Sequence, residues 1–161
     1  MTTGGPLAAR RSYLFVWMKK KNPIVDRWFR GKPAEPLLRR VRDLVMWSDD
    51  RMTEYLKHGT VQFAYKGDMA NFVQLGAKTV TLMFNRGAKI RGSFPHLEGS
   101  GPSARFMRFA DMREVEDRMV ELNKVVVAWC EMMGPPRVLK IRIPTGRPPG
   151  RPKKAVAKPK R

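Results

Sequence analysis

The chain has 161 residues, 42% of them hydrophobic and 29% charged, which is enough for one folded domain with appended segments. Its net charge of +19 is uneven: residues 1–32 carry +7, residues 33–133 carry +2 and residues 134–161 carry +10. Cys130 is the only cysteine and no apolar run approaches 20 residues, so the sequence predicts neither an internal disulfide nor a membrane span. We therefore expect a cytoplasmic protein whose basic ends contact polyanions.

Two helices are predicted after a basic, flexible arm at residues 1–22, for which a short entering helix is the alternative. In "NPIVDRWFRGKP", Pro23 suits a helix start and Gly31 a helix end. In "AEPLLRRVRDLVMWSDD", Pro36 suits the first turn. One predicted face is apolar, with Leu37, Val41, Leu44 and Val45, and the other is polar, with Arg39, Arg40, Arg42 and Asp43.

The segment between Glu54 and Phe84 has the period of β-strands. Four short runs are separated by glycines 59, 67, 76 and 87, and in the last run Val80, Leu82 and Phe84 alternate with other residues. Such short turns require antiparallel pairing. After a long Gly- and Pro-rich loop, "RFMRFA" is predicted to be a fifth strand.

A final helix is predicted from Asp111, which forms a capping-box pattern with Glu114. Gly134-Pro135-Pro136 ends it, and "RVLKIRI" (137–143) is a candidate short strand. We predict an α+β domain over residues 23–133: about five antiparallel strands packed against N- and C-terminal helices, with disordered basic ends and a basic tail at 134–161. The apolar stripe predicted to face the sheet consists of Val115, Met119, Leu122, Val126 and Trp129.

Several short motifs occur in an order that resembles the bacterial YdhG-like family (domain of unknown function 1801). They are the aromatic-Lys-Gly hairpin at Tyr65–Gly67, "FNRGA" at Phe84–Ala88, and "LEGSG" at Leu97–Gly101 ahead of Arg105. The resemblance covers about residues 25–133. It implies an α+β domain with an antiparallel sheet covered by helices, and implies little about chemistry.

Some members of that family are described as frataxin-like iron chaperones, and such a role needs clustered carboxylates. The last helix offers Glu114, Asp117 and Glu121, but cations alternate with them, so a salt-bridged solvent face is the competing interpretation. His58 and His96 accompany no nucleophile motif. We therefore expect neither an enzyme nor a bound cofactor, and keep an iron or small-ligand module as the alternative.

The loop "EGSGPSAR" is a candidate anion site. Gly99 and Gly101 leave backbone N–H groups able to form a concave anion-binding loop, and Arg105 begins the next strand. The competing interpretation is a loop whose glycines only permit the turns.

The tail segment "PPGRPKK" resembles the AT-hook peptides of high-mobility-group chromatin proteins, in which an extended Gly-Arg-Pro core lies in a narrow minor groove. The arginine expected before Gly150 is replaced by Pro149, which weakens the case for A·T selectivity. We predict that the tail associates with DNA, which would place the protein at the nucleoid. The alternatives are a tail that only increases solubility and a tail that contacts an anionic membrane. The predicted DNA contacts are Arg147, Pro148, Gly150, Arg151, Pro152, Lys153, Lys154, Lys158, Lys160 and Arg161.

Overall fold

The computed structural model describes residues 21–135, which form three α-helices and one five-stranded antiparallel sheet. This confirms the α+β class predicted from the sequence. The candidate strand at 137–143 and most of both basic ends lie outside the described residues. The elements are α1 (Pro23–Trp28), α2 (Glu35–Ser48), β1 (Thr53–Lys57), β2 (Thr60–Ala64), β3 (Asp68–Val73), β4 (Val80–Phe84), a 3₁₀ turn (Gly87–Lys89), β5 (Arg105–Phe109) and α3 (Met112–Met133).

The sheet runs in the order β1-β2-β3-β4-β5, with every neighbouring pair antiparallel. The first hairpin turns on His58 and Gly59, whose φ angles of 52° and 75° are those of a two-residue turn with both central residues left-handed. A bulge between Phe63 and Ala64 interrupts the second pairing. Short connections and period-two side chains therefore produced the simple meander that the glycine spacing predicted.

All three helices lie on one face of this sheet. The ring of Phe29, next to α1, packs edge to face on the ring of Phe72 in β3, with 6.1 Å between the centroids. Phe63 of β2 also packs edge to face on Phe72, at 5.5 Å. Helices α2 and α3 run in the same direction, as two ion pairs show. Arg40 of α2 pairs with Glu116 near the start of α3 at 2.9 Å, and Arg51, three residues after α2, pairs with Glu131 near the end of α3 at 2.8 Å.

The polar face predicted for α2 is wrong at one position. The sequence pattern predicts Arg42 on the solvent side with its arginine neighbours, but only 1% of it is exposed. Its guanidinium lies over the Phe29 ring, 5.0 Å from the centroid, and bonds to acidic side chains of α1 and β1. A charge with such partners can be buried, so the core extends further around α2 than the apolar residues indicate.

The stripe predicted for α3 is also wrong at one position. Val115, Leu122, Val126 and Trp129 are fully buried, whereas Met119 is 37% exposed. Val125 and Cys130 are buried instead, so the buried face is rotated away from Met119. Asp111 caps this helix as predicted, accepting the Glu114 N–H at 2.9 Å.

The face of the sheet opposite the helices carries one row that crosses all five strands. Its members pair in sequence as Tyr55, Gln62, Asn71, Met83 and Phe106. Gln62, at the second position, is 5% exposed, and its Nε2 has no hydrogen-bond partner among the described residues. Among residues 21–135, no helix has both the length and the apolar character that crossing a membrane requires.

Candidate functional site

The predicted DNA contacts between Arg147 and Arg161 lie outside the described residues. What can be compared is the charge of the folded domain and the charge of the rest of the chain. Residues 21–135 contain 19 Lys/Arg and all 14 Asp/Glu of the chain, a net charge of +5. The remaining 46 residues contain 14 Lys/Arg and no acid. The cations that no carboxylate can balance are thus concentrated at the two ends.

The acids of the domain are largely taken up by its own arginines and lysines. Asp49 illustrates this, since its carboxylate accepts from Arg51 at 2.8 Å and from the Arg51 backbone N–H at 2.9 Å. The hydrogen bond from the Arg51 side chain lowers the pKa of Asp49, although partial burial opposes it. The folded surface therefore has little unbalanced charge of either sign over most of its area.

The three carboxylates considered for iron are each engaged elsewhere. Glu114 accepts the Ala110 N–H at 2.8 Å, and both oxygens of Glu121 accept from His96, through its backbone N–H at 2.7 Å and Nδ1 at 2.6 Å. Asp117 lies 3.9 Å from Arg113 on an exposed face. Within residues 21–135, no three His, Cys, Asp or Glu side chains are grouped so as to hold a metal ion.

The loop between β4 and β5 is held by hydrogen bonds at several points. Ala88 N–H in the 3₁₀ turn donates to Ser103 O at 2.9 Å, and Ser103 Oγ donates to Asn85 O at 3.1 Å. Glu98 and Phe106 exchange two backbone bonds of 2.8 Å, which extend the edge of the sheet. The glycine-rich segment 99–104 therefore starts and ends at fixed points.

Arg105 closes this loop from the first position of β5. Its Nη1 donates to Gly101 O at 2.7 Å and to Ala104 O at 2.8 Å. Its stem passes so close to Gly87 that a Cβ there would lie 2.5 Å from the Arg105 Cβ, so only glycine fits. Gly99 has φ of +140°, a backbone conformation suited to glycine. The structure thus brings the three predicted anion-site residues into one loop.

A cleft of about 190 Å³ opens beside this loop. Sequence reasoning had singled out Arg105 but missed the rest of the lining. Arg86, Lys89 and Arg91 are exposed cations that alternate along the chain with the lining residues, and their spacing was the available signal. The cleft is lined by Gly87, Ala88, Ile90, Gly92, Phe94, Leu97 and Arg105.

A second polar cluster is formed by side chains of β1 and by the first residue of β3. Tyr55 OH donates to Asp68, and Lys57 Nζ donates to the other oxygen of the same carboxylate at 2.6 Å. The hydrogen bond to Asp68 raises the pKa of Tyr55 above its ordinary value of about 10. The three groups satisfy one another, so the cluster links β1 to the start of β3 across the intervening β2.

Comparison of the chain with protein-family models, with curated proteins and with solved structures found no match. The resemblance to the YdhG-like family therefore stays an expectation carried by the motifs at Tyr65–Gly67, Phe84–Ala88 and Leu97–Gly101.

Proposed function

We propose that this chain is a non-enzymatic YdhG-like domain protein that associates with DNA through its basic C-terminal tail. One observation carries the proposal: every acid of the chain lies within residues 21–135, while residues 136–161 carry ten cations and no acid. Unbalanced cations bind phosphate backbones by releasing condensed counterions, whatever the base sequence. The Gly-Arg-Pro triplets at 146–148 and 150–152 add side chains suited to a minor groove.

The folded domain supports this assignment by contrast. Its acids are paired with its own cations, as in Arg40–Glu116 and Arg51–Glu131, so outside the segment 86–105 it offers a polyanion few competing sites. The alternative from the sequence, an iron module of frataxin type, has no grouped ligands within residues 21–135 to support it.

The proposal is tested by neutralising cations at two different places in the chain, and not by truncating the tail. In one full-length variant, five tail cations are replaced by Gln: Arg147, Arg151, Lys153, Lys154 and Lys158. In the matched control, five exposed cations of the folded domain are replaced: Arg27, Arg30, Lys78, Arg113 and Lys124. Both variants lose the same net charge, so a difference between them reports the location of the contact.

Duplex binding is measured by fluorescence anisotropy over a range of salt concentrations. With about six phosphates neutralised, the unmodified chain is expected to show a log–log salt slope of about −5. The tail variant should lose most of its affinity and of its slope, and the control should keep both. Equal losses in the two variants would mean that total charge, and not the tail, governs binding.

A further inference from the structure

The cleft beside the β4–β5 loop combines one arginine with apolar walls. Ile90 is 6% exposed and belongs to the core, and Phe94 and Leu97 pack against that core from the loop. The cleft is about 190 Å³, below the roughly 300–1,000 Å³ of sites for drug-sized ligands. Its occupant must therefore be small, with a compact apolar part.

The hydrogen bonds of Arg105 leave a specific part of its guanidinium for a ligand. Both N–H groups of Nη1 are used by carbonyls of the loop. The Nε–H and Nη2–H groups have no partner among residues 21–135, and together they form the fork that pairs side-on with an oxyanion. Arg42 shows the same fork in use, because its Nε and Nη2 hold the two oxygens of Glu54 at 2.7 and 2.5 Å.

The charge around the cleft favours a doubly charged oxyanion. Arg86, Lys89 and Arg91 are exposed and adjoin lining residues along the chain, and within residues 21–135 none of them is paired with a carboxylate. Glu98 is the only acid between positions 85 and 105, and it is bonded to Arg108 at 3.3 Å. The segment thus has a net charge of +3, which attracts a phosphate more strongly than a carboxylate.

We propose that this cleft binds a small phosphate monoester, with the phosphate on the Arg105 fork and its organic part against Ile90, Phe94 and Leu97. Gly99 and Gly101 are exposed residues of the adjoining loop, and the proposal assigns their backbone N–H groups to the remaining oxygens. The site is formed by residues of the segment 87–105 and takes a small ligand, and so does not depend on DNA association through the tail.

Three probes separate the two parts of this proposal in the full-length chain. Phenyl phosphate carries both parts, inorganic phosphate lacks the ring, and phenol lacks the charge. Backbone ¹⁵N–¹H shifts of Ala88, Gly99 and Gly101 are followed during titration at fixed ionic strength. We expect saturable shifts with phenyl phosphate, binding about tenfold weaker with inorganic phosphate, and no saturable shift with phenol at the same concentrations.

Matched variants locate the contact. Arg105→Lys keeps the charge but loses the fork, and should weaken phenyl phosphate about tenfold or more. Arg108→Lys, three positions along the same strand and on the opposite face, should bind like the unmodified chain. Phe94→Ala should weaken phenyl phosphate while leaving inorganic phosphate unchanged.

The spectra themselves show whether each variant keeps its fold. The tail variant with five Gln substitutions should keep the phenyl phosphate affinity, so this test succeeds or fails independently of the DNA proposal. Two results would overturn the site: unchanged affinity in the folded Arg105→Lys variant, or phosphate shifts scattered over surface cations with no preference for the 88–105 loop.

Discussion

Arg42 of α2 donates to both carboxylate oxygens of Glu54 in β1, and each side chain is only 1% exposed. Burial lowers the pKa of Arg42, but its bonds to Glu54 and Asp26 outweigh this effect and raise it. The Asn22 N–H also donates to Glu54, at 2.8 Å. One buried ion pair thus joins the helix layer, the edge strand and the entering chain.

Removing one partner of this pair should be costly, because the other is left as an uncompensated buried charge. We expect Arg42→Met to lower the free energy of unfolding by about 3–5 kcal/mol. Adding Glu54→Leu should restore part of that loss. Arg40→Met, which breaks a half-exposed pair with Glu116, is the control and should cost less than about 1 kcal/mol. Urea unfolding of the full-length proteins measures these free energies. A double variant less stable than Arg42→Met would contradict the prediction.

Acid should weaken the fold partly through Asp26. Hydrogen bonds from Arg42 and Arg39 lower the pKa of Asp26 below 3.8, although partial burial opposes them. A lowered folded pKa means that the contribution is complete above the unfolded pKa and is lost as pH falls through the folded value. The stability gap between the unmodified chain and Asp26→Asn should therefore be widest near neutral pH and narrow below about pH 4.

Thermal unfolding from pH 7 to pH 2.5 measures that gap. Asp117→Asn removes the same charge from an exposed position, and so controls for the overall charge of the protein. A gap for Asp26→Asn that stayed constant down to pH 2.5 would contradict the expected linkage.

Cys130 should be unreactive while the domain is folded. It is fully buried, with its Sγ 3.6 Å from Met52 Sδ, and burial raises the pKa of its thiol to about 12. Because the thiolate is the reactive form, an aromatic disulfide reagent at pH 8 should react only through unfolding. The rate should be on the order of a thousandfold below that of a model thiol.

The control is Ser100→Cys, in an exposed loop, which should react at nearly the model rate while Cys130 stays protected. Rapid reaction of Cys130 in the unmodified chain, without added denaturant, would show that α3 opens locally.

Arg151→Ala should weaken duplex binding more than Lys160→Ala. Both remove one tail charge, but only Arg151 belongs to a Gly-Arg-Pro core that can insert into a minor groove. The arginine of a full hook is missing before Gly150, so preference for A·T-rich over G·C-rich duplex should be mild. Anisotropy titrations on both duplexes test this, and equal losses in the two variants would indicate a purely electrostatic tail.

The regular elements were predictable because their signals are local. Alternation of apolar residues in Val80–Phe84 and the glycines between strands specify the meander, and Asp111 specifies the start of α3. Arg42 was not predictable in the same way. Its neighbours Arg39 and Arg40 are half-buried, and the partner that permits its burial is Glu54, twelve positions away in another element.

The candidate cleft was only partly predictable for a similar reason. Gly99, Gly101 and Arg105 are recognisable as a glycine-rich loop leading to a cation. The apolar wall depends on how the chain between β4 and β5 folds back on the core, which brings Ile90 and Phe94 beside Arg105. No local sequence periodicity predicts how this segment folds back on the core.

Both ends of the described chain are fastened near one corner of the sheet. Asn22 bonds to Glu54 of β1, and Tyr65 OH, just after β2, donates to Gly134 O at 2.8 Å. The row that starts at Glu54 crosses every strand and finishes at Arg105, roughly 19 Å away at the spacing of neighbouring strands. The two points where the described chain begins and ends are therefore on the side of the sheet away from β5 and the cleft beside it.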